Sequence, residues 1–154
     1  MLTKEEKRNI NIQFWDGFQK YMRKFRSSNG RRMNWINYPT DTKFLYLRLE
    51  IDKNSARMCF DIQPKDQGVK AIVYEQCQEL KVVLESEMKW ETNWIEHFET
   101  QDGRSIARIY WEMQGVNLYQ PETHERIKTF FADRLREFDI FYQEYKEILI
   151  TLIN

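Results

Sequence analysis

The sequence predicts an α+β fold, a four-stranded antiparallel sheet of two hairpins with helices packed on one face. Two alternating apolar segments around a polar turn predict the first hairpin. An aromatic-rich segment followed by the turn dipeptide Asp102-Gly103 predicts the second. Apolar stripes at steps of three and four residues predict helices before, between and after the hairpins. The predicted order is α-ββα-ββα, in a single domain over residues 1–154.

The first helix is predicted from a capping box and an apolar stripe. Thr3 and Glu6 stand three residues apart, so that each side chain can satisfy a free backbone N–H at the helix start. The turn residues Ser27 to Gly30 are predicted to end the helix. The stripe consists of Phe14, Trp15, Phe18, Tyr21, Met22 and Phe25.

The first hairpin is predicted with its register. Residues 44–51 and 56–63 alternate between apolar and polar side chains, and residues 52–55 supply a four-residue loop. This loop pairs Ile51 with Ala56, which places one apolar set on a single buried face. That set is Leu45, Leu47, Leu49, Ile51, Ala56, Met58, Phe60 and Ile62.

A second helix is predicted after Gln63-Pro64, because Asp66 can cap it and an apolar stripe follows. The stripe is Val69, Ile72, Val73, Gln76, Leu80, Val83 and Leu84.

The second hairpin is predicted from residues 90–98 and from an alternating segment after Asp102-Gly103. Trp94 and Phe98 are expected to share the buried face with that segment, and a short helix over residues 92–99 is the alternative. His97 is expected beside Arg108 on the outer face. The alternating segment is Ala107, Ile109, Trp111 and Met113.

A long final helix is predicted to begin at Pro121, which suits a first helical turn. Its stripe has a near-heptad rhythm, and an unbroken helix would be about 45 Å long, more than a small sheet needs. Phe130, Phe141 and Ile148 flank the stripe and widen the apolar arc. A homodimer through this helix is therefore one hypothesis, and core packing is the other. The stripe is Ile127, Phe131, Leu135, Phe138, Tyr142, Tyr145, Leu149 and Leu152.

Composition limits the function classes. The chain has 24 basic and 24 acidic residues, so overall charge does not indicate a polyanionic partner. Residues 1–8 lack the apolar run of a secretory signal, and no membrane span is predicted. Cys59 and Cys77 are expected to remain thiols, in a cytoplasmic protein.

No motif of a known cofactor site is present. The chain contains no Ser-His-Asp pattern, no Walker loop and no dinucleotide fingerprint. His97 and His124 lack ligand spacing to cysteines, histidines or paired acids. No catalytic residue, metal site or cofactor is therefore predicted.

The outer face of the first hairpin carries charges that suggest two interpretations. Glu50 and Asp61, with Lys65 nearby, are typical of a metal-dependent nuclease, in which carboxylates at adjoining strands hold a hard cation. The usual acidic-x-Lys triplet reads Gln63-Pro-Lys65 here, however. The predicted register also pairs Glu50 with Arg57 and sets Arg48 diagonal to Asp61. These charges then neutralise one another, as cross-strand neighbours commonly do.

A basic segment is the candidate nucleic-acid-binding site. No acidic residue occurs between Asp16 and Asp41, whereas cations and two aromatic residues do. Such a combination suits phosphate contacts and base stacking. The alternative is that cations near a helix C-terminus complement its dipole. The candidate residues are Lys20, Arg23, Lys24, Arg26, Arg31, Arg32, Trp35 and Tyr38.

The order of several short motifs resembles a bacterial domain of unknown function. The motifs are Phe14-Trp15, the Leu45–Ile62 hairpin with its following helix, Lys89-Trp-Glu91 and Ala107-Arg108-Ile109. That domain often follows restriction-endonuclease-like domains and also occurs as a short stand-alone protein. The resemblance covers nearly the whole chain and brings no established catalytic residues. It implies recognition or assembly in DNA-directed systems, and any nuclease partner is expected either to be lacking or to meet this chain in trans.

Three hypotheses of different classes follow. The leading one is a non-enzymatic binding or assembly module that contacts nucleic acid through the basic segment. The second is a degenerate metal-dependent nuclease that uses Glu50 and Asp61. The third is a purely structural homodimer built on the helix after Pro121.

Overall fold

The computed structural model describes residues 1–154. It confirms the α+β class and the order of hairpins and helices, and it divides the second predicted helix into two at Leu80. The elements are α1 (Lys4–Met22), β1 (Leu45–Ile51), β2 (Ser55–Ile62), α2 (Gln67–Glu79), α3 (Lys81–Glu87), β3 (Asn93–Glu99), β4 (Ser105–Gln114), a 3-10 turn (Pro121–Thr123) and α4 (His124–Ile153).

The four strands form one antiparallel sheet in the order β1-β2-β4-β3. The predicted register of the first hairpin is confirmed, with Ile51 opposite Ala56 and Leu45 opposite Ile62. Asp52 fixes the turn, because its Oδ1 accepts from the backbone N–H of Asn54 at 3.0 Å and of Ser55 at 2.9 Å. The pairing of β2 with β4 joins the two hairpins into one surface.

The final helix is the central element of the helical layer. It is continuous over 30 residues, about 45 Å at 1.5 Å per residue, and α1, α2 and α3 all pack against it. Two of the three apolar residues that flank its stripe pack into the chain's own core: Phe130 is 3% exposed and Phe141 is 2% exposed. Only Ile148 of the three flanking residues is exposed, at 42%. Most of the apolar surface that suggested a homodimer therefore covers this chain's own sheet and helices.

The first helix begins as predicted and ends earlier than predicted. Thr3 and Glu6 form the capping box, with backbone-to-side-chain bonds of 3.1 and 3.0 Å. The helix stops at Met22, and Arg23 is its C-cap. Phe25, predicted to extend the stripe, thus lies in the loop after the helix, half-buried against the core.

The second hairpin forms, and the alternative of a helix over residues 92–99 is wrong. Trp94 lies opposite Ile109 on the helix-covered face, as predicted. A register shift between Ile95 and Phe98 then turns the strand over, so that Phe98 lies opposite Ile106 on the outer face. The prediction that Phe98 shares the buried face with Trp94 is therefore wrong, because a bulge interrupts the two-residue alternation.

Both cysteines are free thiols inside the protein. Cys59 is 0% exposed and Cys77 is 1% exposed. Burial raises the pKa of both thiols, that of Cys77 to about 12, so neither is present as a thiolate at neutral pH. No helix of the structure combines the length and the apolar composition that a membrane span requires.

The burial of Cys59 and Cys77 predicts slow chemical modification. In the folded protein at pH 8, a thiol reagent such as DTNB should label both residues at least about a hundredfold more slowly than in guanidinium, because labelling requires local opening. The absorbance change on labelling measures the two rates. Rapid labelling of either thiol in the native protein would contradict this description of the core.

Candidate nucleic-acid interface

The basic surface consists of six side chains, all exposed, from the end of α1 and the loop that follows it. None of the six takes part in any salt bridge of the structure. The group is Lys20, Arg23, Lys24, Arg26, Arg31 and Arg32.

Helix capping accounts for few of these cations. Only Lys20 lies in the last turn of α1, and Arg23 is the C-cap residue. Arg26 donates from Nη1 to the carbonyl of Gly30 at 3.3 Å, within the loop rather than at the helix end. Arg23 and Arg32 line one shallow cavity of about 390 Å³. The early end of α1 thus leaves Arg26, Arg31 and Arg32 beyond the helix end, and the effect of the helix dipole fades within one turn.

The two predicted aromatic residues lie inside the protein. Trp35 is 3% exposed, and its Nε1 donates to the carbonyl of Phe25 at 3.1 Å. Tyr38 is 5% exposed, and its hydroxyl donates to Asp139 at 2.6 Å. Because neither ring presents a free face, Trp35 and Tyr38 are not placed to stack on a base as the sequence suggested. They anchor the loop that carries the arginines.

Other aromatic rings lie among the cations. Lys24 Nζ is 4.2 Å from the ring centroid of Tyr21 and 5.1 Å from that of Phe25. From α4, Lys128 Nζ lies 4.8 Å from the Tyr21 centroid, and the Arg136 guanidinium lies 4.1 Å from that of Phe25. These are cation–π distances. No sequence pattern predicts Lys128 and Arg136 at this position, because only tertiary packing brings α4 beside α1.

Asp139 on α4 holds the basic loop in place. Its carboxylate accepts hydrogen bonds from Ser27 Oγ at 3.0 Å, from the Ser28 backbone N–H at 2.7 Å and from Tyr38 at 2.6 Å. Gln143 Nε2 adds a fourth bond at 3.3 Å. The carboxylate is 1% exposed and has no cation within salt-bridge distance. Burial and the bond to Asp139 together raise the pKa of Tyr38, so the hydroxyl remains a donor.

A second charged cluster, the outer lattice, fills the open face of the sheet and lines a cavity of about 790 Å³. Arg108 donates from Nε to Asp61 at 2.8 Å and from Nη2 to Glu50 at 3.3 Å. Arg48 donates to Asp61 at 2.6 Å, and Arg57 donates to Glu50 at 2.8 Å. The predicted pairs Glu50–Arg57 and Arg48–Asp61 are therefore confirmed. Arg108 links them into one network across three strands.

The lattice leaves the nuclease hypothesis without support from geometry. Each of Glu50 and Asp61 is bonded to two guanidinium groups, one of which, from Arg108, is shared. A divalent cation would have to displace arginines that fill these oxygen positions. No group of three or more His, Cys, Asp and Glu side chains is arranged to hold a metal ion.

A third cluster, missed by the sequence analysis, surrounds Lys70. This residue is 0% exposed, and its Nζ lies 3.2 Å from Ser105 Oγ and 3.2 Å from His97 Nδ1. The expected position of His97 beside Arg108 is wrong, because the bulge turns His97 toward α2. Burial lowers the pKa of Lys70, and the nearby Glu96 opposes this effect. Lys70 lies outside the apolar stripe predicted for the second helix, so the sequence pattern does not indicate that it is buried.

The comparisons with known proteins identify the family. A domain of unknown function (DUF4268) matches residues 10–146, which is most of the chain. The chain therefore belongs to this family. No curated protein and no solved structure matches the chain significantly.

Replacing the anchor of the basic loop should destabilise the protein. Asp139→Asn keeps the size of the side chain, but the amide cannot accept all four hydrogen bonds. We expect the free energy of unfolding to fall by about 1–3 kcal/mol in urea titrations. Asp133→Asn, at an exposed position on the same helix, is the control and should change stability little. Equal stability of the two variants would contradict the anchoring role.

Lys70→Met should raise the free energy of unfolding at neutral pH by about 1 kcal/mol, because it removes a buried charge. The former partners of the amine, His97 and Ser105, are exposed and can bond to water instead. Because the pKa of Lys70 is lowered in the folded protein, the unfolded chain binds the Lys70 proton more tightly than the folded chain does. The free energy of unfolding of the wild type should therefore rise as the pH approaches about 10.4, and the advantage of the variant should shrink.

Thermal unfolding at several pH values measures this trend. Lys81→Met, at an exposed position on α3, is the control and should follow the wild-type pH dependence. A Lys70→Met variant that is less stable than the wild type at every pH would contradict the assignment of a buried, poorly compensated amine.

Proposed function

We propose that this protein is a non-enzymatic binding module that contacts the phosphate backbone of nucleic acid through the basic surface. One observation carries the proposal: six exposed cations from one short segment have no acidic partner. Three arginines on the sheet provide the contrast, because they are ion-paired. The paired sheet arginines are Arg48, Arg57 and Arg108.

Unpaired arginine and lysine side chains are suited to phosphate. Guanidinium groups match phosphate oxygens with two parallel donors, and lysine ammonium groups add point charges. Binding would release counterions from the nucleic acid, which gives affinity without sequence recognition. The zero net charge of the chain does not oppose this, because none of the six cations forms a salt bridge with an acidic residue.

The cellular role that we propose is assembly within a bacterial DNA-directed system of the restriction type, in the cytoplasm. The resemblance of the chain to domains that follow restriction-endonuclease-like domains supports this role. The outer lattice offers no vacant carboxylate pair for cleavage, so a nuclease partner would supply that chemistry in trans. The protein would then contribute contact with the nucleic acid.

Fluorescence anisotropy with labelled DNA and RNA, titrated with salt, tests the proposal. We expect binding at about 50 mM salt, and log affinity should fall linearly with log salt, with a slope of up to about −5 for six contacts. Removing three cations should weaken binding at least about tenfold and flatten this slope. The test variant is Lys20→Gln, Arg31→Gln and Arg32→Gln together.

The matched control removes the same amount of charge elsewhere. Its three lysines are exposed and form no salt bridge, and they lie just before β1, between β1 and β2, and just after β2. The control should bind within about twofold of the wild type. Equal losses in the two triple variants would show that only total charge matters, and absence of binding at low salt would exclude the proposal. The control variant is Lys43→Gln, Lys53→Gln and Lys65→Gln together.

A further inference from the structure

We infer that the basic surface selects double-helical nucleic acid over single strands and reads its backbone without stacking on bases. This inference rests on the proposed nucleic-acid contact and specifies its ligand. It follows from the environment of the four aromatic rings around the cations, namely Trp35, Tyr38, Tyr21 and Phe25.

Two of these rings cannot reach a ligand. Trp35 and Tyr38 lie in the hydrophobic core, and each uses its polar atom inside the protein, Trp35 toward Phe25 and Tyr38 toward Asp139. Freeing Tyr38 would leave the buried Asp139 carboxylate short of a donor, which is costly. The loop is therefore held in a conformation that keeps both rings covered.

The other two rings are already occupied by cations. Lys24 and Lys128 both lie over Tyr21, and Lys24 and Arg136 both lie over Phe25. A base that stacks on the position of one of these cations has to displace an ammonium or guanidinium group. The displaced cation would lose its cation–π contact, and the base would meet a ring that is also packed edge-to-face with its neighbour at 5.6 Å.

This surface therefore presents positive charge to a ligand, on a loop whose conformation is held by Asp139. Single-strand-binding surfaces combine a basic groove with aromatic platforms, and each stacked base contributes substantially to affinity. This surface lacks free platforms. A duplex offers the higher linear charge density and keeps its bases inside, so phosphate contacts alone suffice. The duplex is the ligand whose chemistry matches cations without stacking rings.

The test compares one labelled strand of about 20 nucleotides, alone and annealed to its complement, by anisotropy at about 100 mM salt. Single-stranded oligo-dT, a second duplex of unrelated sequence and a duplex RNA of the first sequence complete the set. We expect the duplexes to bind at least about tenfold more tightly than either single strand, and the two DNA duplexes to agree within about threefold.

The outcomes separate this inference from the proposed function. Single strands that bind as tightly as the duplex, or more tightly, would overturn the inference and leave the nucleic-acid contact standing. A difference of more than about tenfold between the two DNA duplexes would show base readout and overturn it as well. Absence of binding to every probe would overturn both. Duplex binding that is at least about tenfold tighter than that of either single strand supports the inference, and comparison of the DNA and RNA duplexes identifies which helix is preferred.

Discussion

The burial of the Asp139 carboxylate is the constraint on which the candidate interface depends. A charged group in the interior must be compensated, and no cation reaches this one. The compensation comes from neutral donors on the segment after α1, which must fold back onto α4 to supply them. The same requirement buries Tyr38 and fixes the path of the loop. One acidic residue on the last helix thus determines where a group of arginines near the start of the chain is displayed.

Charge is distributed unevenly in this protein although the totals balance. On the outer face of the sheet, arginines and carboxylates are interleaved and satisfy one another. On the basic surface, cations stand without acidic partners. The first arrangement stabilises a fold and the second is available to a ligand. The pairing of arginines, and not the presence of charge alone, distinguishes these two surfaces, because both are rich in charged side chains.

The sequence predicted the features that depend on local periodicity. The register of the first hairpin followed from the two-residue alternation and the loop length, and the length of α4 followed from its stripe. The failures involve tertiary contacts. Phe98 changed face because a bulge breaks the alternation, and Lys70 became buried because α2 packs beside β3 and β4. Trp35 looked like a stacking platform because sequence proximity to arginines does not show which side of a loop faces the core.

The outer lattice also bears on how the strands find their partners during folding. A shift of β1 by one residue along β2 would turn its arginine and glutamate toward the apolar core. A shift by two residues, in the direction that shortens the turn, would set Arg48 against Arg57 and separate Arg48 from Asp61, as the native pairing shows. A hairpin misaligned in that direction thus loses ion pairs and brings like charges together. The lattice discriminates against that wrong pairing as the chain folds, a role that requires no ligand.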